Sequence, residues 1–301
     1  MPGISEERVT QAGFLEELTQ LAANLAGSPP PSPFGDALPA PPETSRAQNL
    51  ESIAECEPPA GDGLFSLLKP ECSSDYREQF RLLRTQLLLH RARFENQQDF
   101  RTVSVMSTEK GEGKSFTASN LAAVLAVATG QRVLLIDVDP ESRPIPVGIP
   151  LAEGDGLPHA LSAPGDWARA TLHVKNTPLY VMGRGSVMGR GSAKGSRNLD
   201  LEKLPRLLQV LREQFEWIIL DAGAFARCPE APWLAAVTDG TLLVVQQSAS
   251  SFGAVQESLS SIPPERLVGV VFNRRKHNSK LRLRVRIKVG RKTPRPASIQ
   301  N

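Results

Sequence analysis

Lys110-Gly111-Glu112-Gly113-Lys114-Ser115 is the stretch on which the reading of this chain turns. Upstream lies an apolar run with strand character, Thr102-Val103-Ser104-Val105-Met106-Ser107, and downstream a run with helical character from Phe116 to Leu125. A glycine-rich turn between a strand and a helix is the setting of a phosphate-binding loop. Glycines let successive backbone N–H groups converge on one point, and the helix start adds partial positive charge there. Lys110, Gly111, Glu112, Gly113, Lys114, Ser115 and Phe116 are therefore the expected nucleotide-binding segment. Lys114 is placed on the β and γ phosphates, and the Ser115 hydroxyl is offered to Mg²⁺. The pattern G-x-x-x-x-G-K-[ST] asks for glycine where Thr108 stands, so the loop is a variant of that pattern.

Two further strand-like runs end in acids. Val133-Leu134-Leu135-Ile136-Asp137-Val138-Asp139 places Asp137 and Asp139 on one face, because side chains alternate along a strand. That pair can hold Mg²⁺ and its waters or accept a proton. Phe215-Glu216-Trp217-Ile218-Ile219-Leu220-Asp221 has one acid after four apolar residues, the Walker B arrangement, which puts a carboxylate on Mg²⁺ directly or through water. With Ser115, these acids supply the oxygen ligands Mg²⁺ prefers. The four histidines are scattered and make no competing metal site.

The motifs sit in an alternating pattern. Strands are expected at 102–107, 132–137, 178–182, 216–221, 240–246 and 267–272, and helices at 74–95, 114–128, 200–214, 229–237 and 251–262. Such alternation predicts an α/β fold of three layers, helices on both faces of a mostly parallel sheet, with ligands at the carboxyl ends of the strands. The chain's 301 residues and 40% apolar content suffice for one large domain with tails. The expected division is an amphipathic N-terminal helix within 1–27, a Pro-rich acidic linker over 28–63, the nucleotide-binding domain over 64–276 and a basic tail over 277–301. The helix carries Phe14, Leu15, Leu18, Leu21 and Leu25 at helical spacing, and the linker holds nine prolines.

The net charge of +3 conceals opposed ends. Residues 1–63 carry ten Asp/Glu against two Arg, whereas residues 274–301 carry eleven Lys/Arg and no acid. Within the tail, Leu281 to Val289 alternates apolar and cationic residues, as an edge strand presenting a positive stripe to a membrane surface, nucleic acid or other anionic partner would. No apolar run approaches the length that spans a bilayer, and no secretory leader precedes the first helix, so a cytoplasmic location is expected. Cys56, Cys72 and Cys228 fit reduced thiols. Val181-Met182-Gly183-Arg184-Gly185-Ser186 recurs verbatim at 187–192, which is either a local duplication or a basic loop over the nucleotide.

Taken together, these residues resemble the deviant-Walker ATPases, which include septum-positioning and plasmid-partition proteins. They are more similar still to the cytoplasmic domain of the bacterial tyrosine kinases that regulate capsule and exopolysaccharide biosynthesis. That family's phosphate loop reads S-x-x-P-G-E-G-K-S, against Ser107 to Ser115 here; its second motif ends in D-x-D, and its third in an Asp after I-I. It also carries E-x-x-R-x-x-R on a helix before the first strand, matched by Glu78, Arg81 and Arg84, and a last strand whose Asn, here Asn273, meets adenine. The resemblance covers residues 64–276. It implies ATP or ADP with Mg²⁺ as cofactors, and Lys114, Asp137 and Asp139 as catalytic residues, Asp137 toward the acceptor. It further implies Ser115, Asp139 and Asp221 as Mg²⁺ ligands, and Glu78, Arg81 and Arg84 as contacts of a homo-oligomer. The implied partner is a membrane polysaccharide co-polymerase that recruits the chain to the inner face of the membrane.

Departures are also visible. Glu141 stands where the family has Arg, with Arg143 two residues later; Ala222-Gly223-Ala224 replaces x-P-P; Lys110 replaces a proline. The autophosphorylated tyrosine cluster is missing, since the only tyrosines are Tyr76 and Tyr180. Two alternatives follow: a nucleotide-dependent assembly module that transfers no phosphate, and a positioning ATPase that binds DNA through its tail.

Overall fold

The computed structural model describes residues 50, 53–58, 64–94, 96, 99–139, 145, 156–185, 199–246, 250–273 and 284–287. The N-terminal helix, most of the linker, Glu141, Arg143, the second VMGRGS copy and most of the basic tail lie outside them.

Nine strands form one sheet in the order β1-β4-β5-β3-β6-β2-β7-β8-β9 among the described residues. They are β1 (Glu55–Cys56), β2 (Thr102–Ser107), β3 (Val133–Asp137), β4 (Leu172–Val174), β5 (Leu179–Met182), β6 (Trp217–Ala224), β7 (Gly240–Gln246), β8 (Leu267–Asn273) and β9 (Arg284–Ile287). The six central strands, β5-β3-β6-β2-β7-β8, are parallel. Antiparallel joints attach β4 to β5 and β9 to β8. The helices are α1 (Ser74–Arg91), α2 (Lys114–Thr129), α3 (Leu157–Ser162), α4 (Leu204–Arg212), α5 (Ala231–Val237) and α6 (Phe252–Ser260).

Alternation along the strands divides the core into two. Val103, Val105, Val133, Leu135, Ile219, Leu242 and Val244 pack with Phe80, Leu83 and Leu87 of α1 and Leu121, Ala122 and Leu125 of α2. Met106, Leu134, Ile136, Ile218, Leu220, Leu243 and Val245 pack on the opposite face with Leu157, Leu208, Leu234 and Val255 of α3 to α6. Both faces of the sheet are covered, which is why its strands read as unbroken apolar runs. This is the three-layer α/β architecture that the sequence predicts, and each expected strand is present.

Two strands, β1 and β4, are not among those expected. Glu55 and Cys56, inside the stretch read as linker, pair with His173 and Val174, and Ile53 is buried, so the sheet begins upstream of Leu64. At the other edge β9 lies antiparallel to β8, with Gly269 opposite Ile287 and Phe272 opposite Arg284, so part of the basic tail does add to the sheet. All three cysteines are free.

The amino ends of the strands are braced by one acid. Asp239 Oδ2 accepts from the backbone N–H of Arg101 (2.8 Å) and Thr102 (2.7 Å), from Thr102 Oγ1 (2.8 Å), and from the Arg212 guanidinium. Asp239→Ala leaves these buried donors unpaired and is expected to cost about 3–5 kcal/mol. A urea titration that places the variant within 1 kcal/mol of wild type, as an approximate limit, counts against this bracing role.

Candidate nucleotide site

Strand register sets the acids side by side. β3 and β6 are adjacent and parallel, and Asp137 is the register partner of Asp221. Each stands two positions after a residue that faces α1 and α2, Leu135 or Ile219, so by strand alternation both carboxylates emerge on the face where α2 begins. The turn between β2 and α2 delivers Lys114 to the same place. Gly111 (φ 90°) and Gly113 (φ 97°) adopt the left-handed conformation that curls this turn. At Gly113 a side chain is excluded twice over, because a Cβ would lie 2.1 Å from Asn273 Nδ2.

Lys114 is buried among carboxylates. Its Nζ is ion-paired with Asp139, lies 3.9 Å from Asp221 Oδ1, and is 3.4 Å from Ser115 Oγ. Burial alone would lower the Lys114 pKa, but Asp221, Asp139 and Asp137 together outweigh it and hold the ammonium above its usual value. Asp137 accepts backbone N–H groups from Ile145 (3.0 Å) and Asp139 (3.3 Å). Burial still raises its pKa, against the pull of Arg184 and those two N–H groups.

Asp221 is fully buried, and neither of its carboxylate oxygens has a hydrogen-bond partner. Burial pushes its pKa up to about 7, against the attraction of Lys114 and with Asp137 adding repulsion; the nearby Ser115 hydroxyl favours the ionised form. A buried carboxylate that lacks hydrogen-bond donors and has the Lys114 ammonium no nearer than 3.9 Å is costly in a folded protein, and a bound cation would offset that cost. Among the described residues no three His, Cys, Asp or Glu side chains converge as a complete metal cage. Mg²⁺ binds through one or two carboxylates and retains waters and phosphate oxygens as its other ligands. Asp221, Asp139 and Ser115 fit such a partial donor set.

The remaining expected residues take varied places. Lys110 and Gly111 are exposed at the crest of the loop. The Glu112 side chain is wholly buried and turned into the protein. The Phe116 ring joins Tyr76 and Phe80 in an aromatic cluster, at centroid distances of 5.4 and 6.1 Å, so only its backbone belongs to the loop. Asn273 ends β8 and donates from Nδ2 to the Glu112 carbonyl at 2.8 Å, while its Oδ1 has no hydrogen-bond partner. Glu78 and Arg81 are exposed on α1 and paired at 3.2 Å, well away from the acids in sequence and on the helix that covers α2. Arg84 is half-buried, with Nε lacking a hydrogen-bond partner.

Two contributors went unrecognised as site residues. Arg184, in the first VMGRGS copy, donates to the Asp139 carbonyl and acts on Asp137 electrostatically; the basic, glycine-flanked repeat was the available signal. Cys228 packs beside Gly223, where a Cβ would lie 2.5 Å from Cys228 Cβ and 3.7 Å from Asp139 Oδ1. This contact explains why glycine stands two residues after Asp221. Burial and Glu230 push the Cys228 thiol up to about 12, so it is a packing group.

Comparison with known proteins fits this geometry. Residues 103–294 match the model of the CobQ/CobB/MinD/ParA nucleotide binding domain. The chain is 28% identical over 176 residues to the succinoglycan biosynthesis transport protein ExoP of Rhizobium meliloti, a match covering 58% of this chain and 22% of that one. The chain thus spans only about a fifth of the length of that relative. It is 27% identical over 177 residues to the tyrosine-protein kinase CpsD of Streptococcus pneumoniae, covering 58% of this chain and 76% of CpsD. Its fold matches the kinase domain of the Escherichia coli tyrosine kinase ETK with a TM-score of 0.55 at 19% identity, over 81% of this chain and 98% of that domain. Among the described residues no helix is long and apolar enough to cross a membrane.

Proposed function

The chain belongs to the CobQ/CobB/MinD/ParA nucleotide-binding domain family, and on that basis we propose that it binds ATP with Mg²⁺ in the cleft around Lys114 and serves a polysaccharide-export machinery. The observation that carries this reading is Lys114 buried against Asp139 and Asp221, with both Asp221 oxygens unsatisfied. In this reading Lys114 turns from Asp139 toward the β and γ phosphates. Ser115, Asp139 and Asp221 hold Mg²⁺, which supplies neutralisation of phosphate charge when bound. The unpaired Oδ1 of Asn273 accepts from the amino group of adenine. Asp137, a buried carboxylate with raised proton affinity, takes the proton of an acceptor hydroxyl.

The acceptor lies outside this sequence. Tyr76 and Tyr180 are both buried, and burial raises the pKa of each phenol. A nucleotide-dependent assembly role without phosphate transfer is the second reading, and the same two tyrosines favour it. Subunit contacts through Glu78, Arg81 and Arg84 extend to Leu82 and Leu89, which lie on the same exposed helix face at 47% and 52% exposure. Recruitment to the membrane through a co-polymerase partner, implied by the resemblance to the bacterial tyrosine kinases, completes the proposal.

Calorimetry with ATP is the first test: saturable binding that weakens when Mg²⁺ is chelated is expected, and no binding in either condition sinks the reading. Phosphotyrosine detection after incubation with ATP, Mg²⁺ and a tyrosine-rich peptide then separates the two roles. Labelled peptide with an unlabelled chain supports transfer in trans; no label on either, with nucleotide-dependent change in elution volume, supports assembly alone.

A further inference from the structure

An acid within a phosphate loop is electrostatically awkward, since facing a triphosphate it would repel the ligand. Glu112 avoids this by pointing inward, with no exposed surface. Its carboxylate is met by three donors: the Glu109 N–H at 2.7 Å, the Gln246 N–H at 2.8 Å and the Ser250 hydroxyl at 2.6 Å. Its own carbonyl accepts from Asn273 Nδ2 at 2.8 Å. Gln246 and Asn273 are register partners at the tips of β7 and β8. One residue of the loop is therefore gripped by both members of a cross-strand pair, through its side chain and through its backbone.

These bonds join two parts of the site that need to act together. Glu109 and Glu112 bracket the crest of the loop, so their side chain–backbone bond sets its curvature. Gln246 is the register partner of Asn273, the residue assigned above to the base, and Ser250 follows four residues after Gln246. Charge-assisted hydrogen bonds of this kind are short and hold geometry tightly. We infer that Glu112 is a positioning residue that locks the phosphate loop to the β7–β8 rim, so that grip on the phosphates and choice of base depend on each other. This rests on the nucleotide-binding reading above.

The test uses the full chain and measures Kd for Mg·ATP and Mg·GTP by calorimetry. Glu112→Gln keeps the volume but turns an amide N–H₂ toward one of the three donors. It is expected to weaken Mg·ATP binding about tenfold or more, the scale of losing a hydrogen bond to a charged group, and to shrink the ATP-over-GTP preference. Ser250→Ala is expected to weaken ATP about threefold, given one bond lost of several, and to shift the ATP-over-GTP ratio in the same direction. The double variant should bind no worse than Glu112→Gln alone, because both substitutions break one network. A folded Glu112→Gln with wild-type affinity and base preference overturns the inference, as does full additivity of the two substitutions. Where Glu112→Gln does not fold, an unchanged ATP-over-GTP ratio in Ser250→Ala overturns it. Failure of the wild-type chain to bind either nucleotide refutes the underlying site instead.

Discussion

Lys114→Ala is expected to weaken Mg·ATP binding by at least about a hundredfold, the scale of removing a buried, charge-assisted partner of the phosphates. Lys114 is the cation drawn to all three carboxylates of the cleft, Asp137, Asp139 and Asp221. Without it the triphosphate would approach buried acids, and repulsion in a low-dielectric cleft adds to the lost attraction. The same substitution also acts on the nucleotide-free protein. Removing one member of a buried ion pair leaves the others uncompensated, at a cost of about 3–5 kcal/mol. The variant should therefore melt earlier while keeping the circular dichroism of an α/β fold. Lys114→Met, which fills the same volume, should share the binding defect. A well-folded alanine variant whose Kd lies within about threefold of wild type, less than 1 kcal/mol, would show that Lys114 does not face the ligand.

How far the sequence revealed this site depends on the range of the forces involved. Strand alternation is local, so Asp137 and Asp221 were visible as outward-ending acids of two apolar runs, and their parallel register then brought them together. The loop glycines were visible for a similar reason, since Gly111 and Gly113 are needed wherever φ is positive. Side-chain direction within the loop was not visible. Glu112 and Phe116 sit in the motif, yet one points to Gln246 and Ser250 and the other to Tyr76 and Phe80, as tertiary packing dictates. Short elements escaped too. Glu55–Cys56 is a strand only because β4 lies beside it, and two residues in a Pro-rich stretch carry no period. Arg184 reaches Asp139 through a connection that no spacing rule predicts, although its repeat had flagged the loop.

Asp221→Asn is expected to raise the stability of the nucleotide-free protein at pH 8 while removing the Mg²⁺ dependence of ATP binding. The sign follows from proton linkage. An aspartate in the unfolded chain titrates near 3.8, whereas burial holds Asp221 up to about 7 in the folded state. Between those values the folded state keeps a proton that the unfolded state releases, so stability falls as pH rises through this window and levels off above it. Asp137, also raised by burial, tilts the curve the same way. Asparagine has the shape of the carboxylate without its charge, so the variant's stability should vary less with pH. Part of the gain is offset, because Lys114 loses one of its carboxylates. A net increase on the order of 1–2 kcal/mol at pH 8 is expected, about 2–8 °C in Tm for a domain of this size, shrinking toward zero near pH 5. Function should move the other way. An amide oxygen is a poor substitute for a carboxylate on Mg²⁺, so chelating the metal should change ATP affinity far less in the variant than in wild type. Thermal melts across pH 5–8 and calorimetry with and without Mg²⁺ read both halves. A variant that is less stable at pH 8 and still tightens its grip on ATP when Mg²⁺ is added would mean that Asp221 is a structural acid and that the metal is held elsewhere.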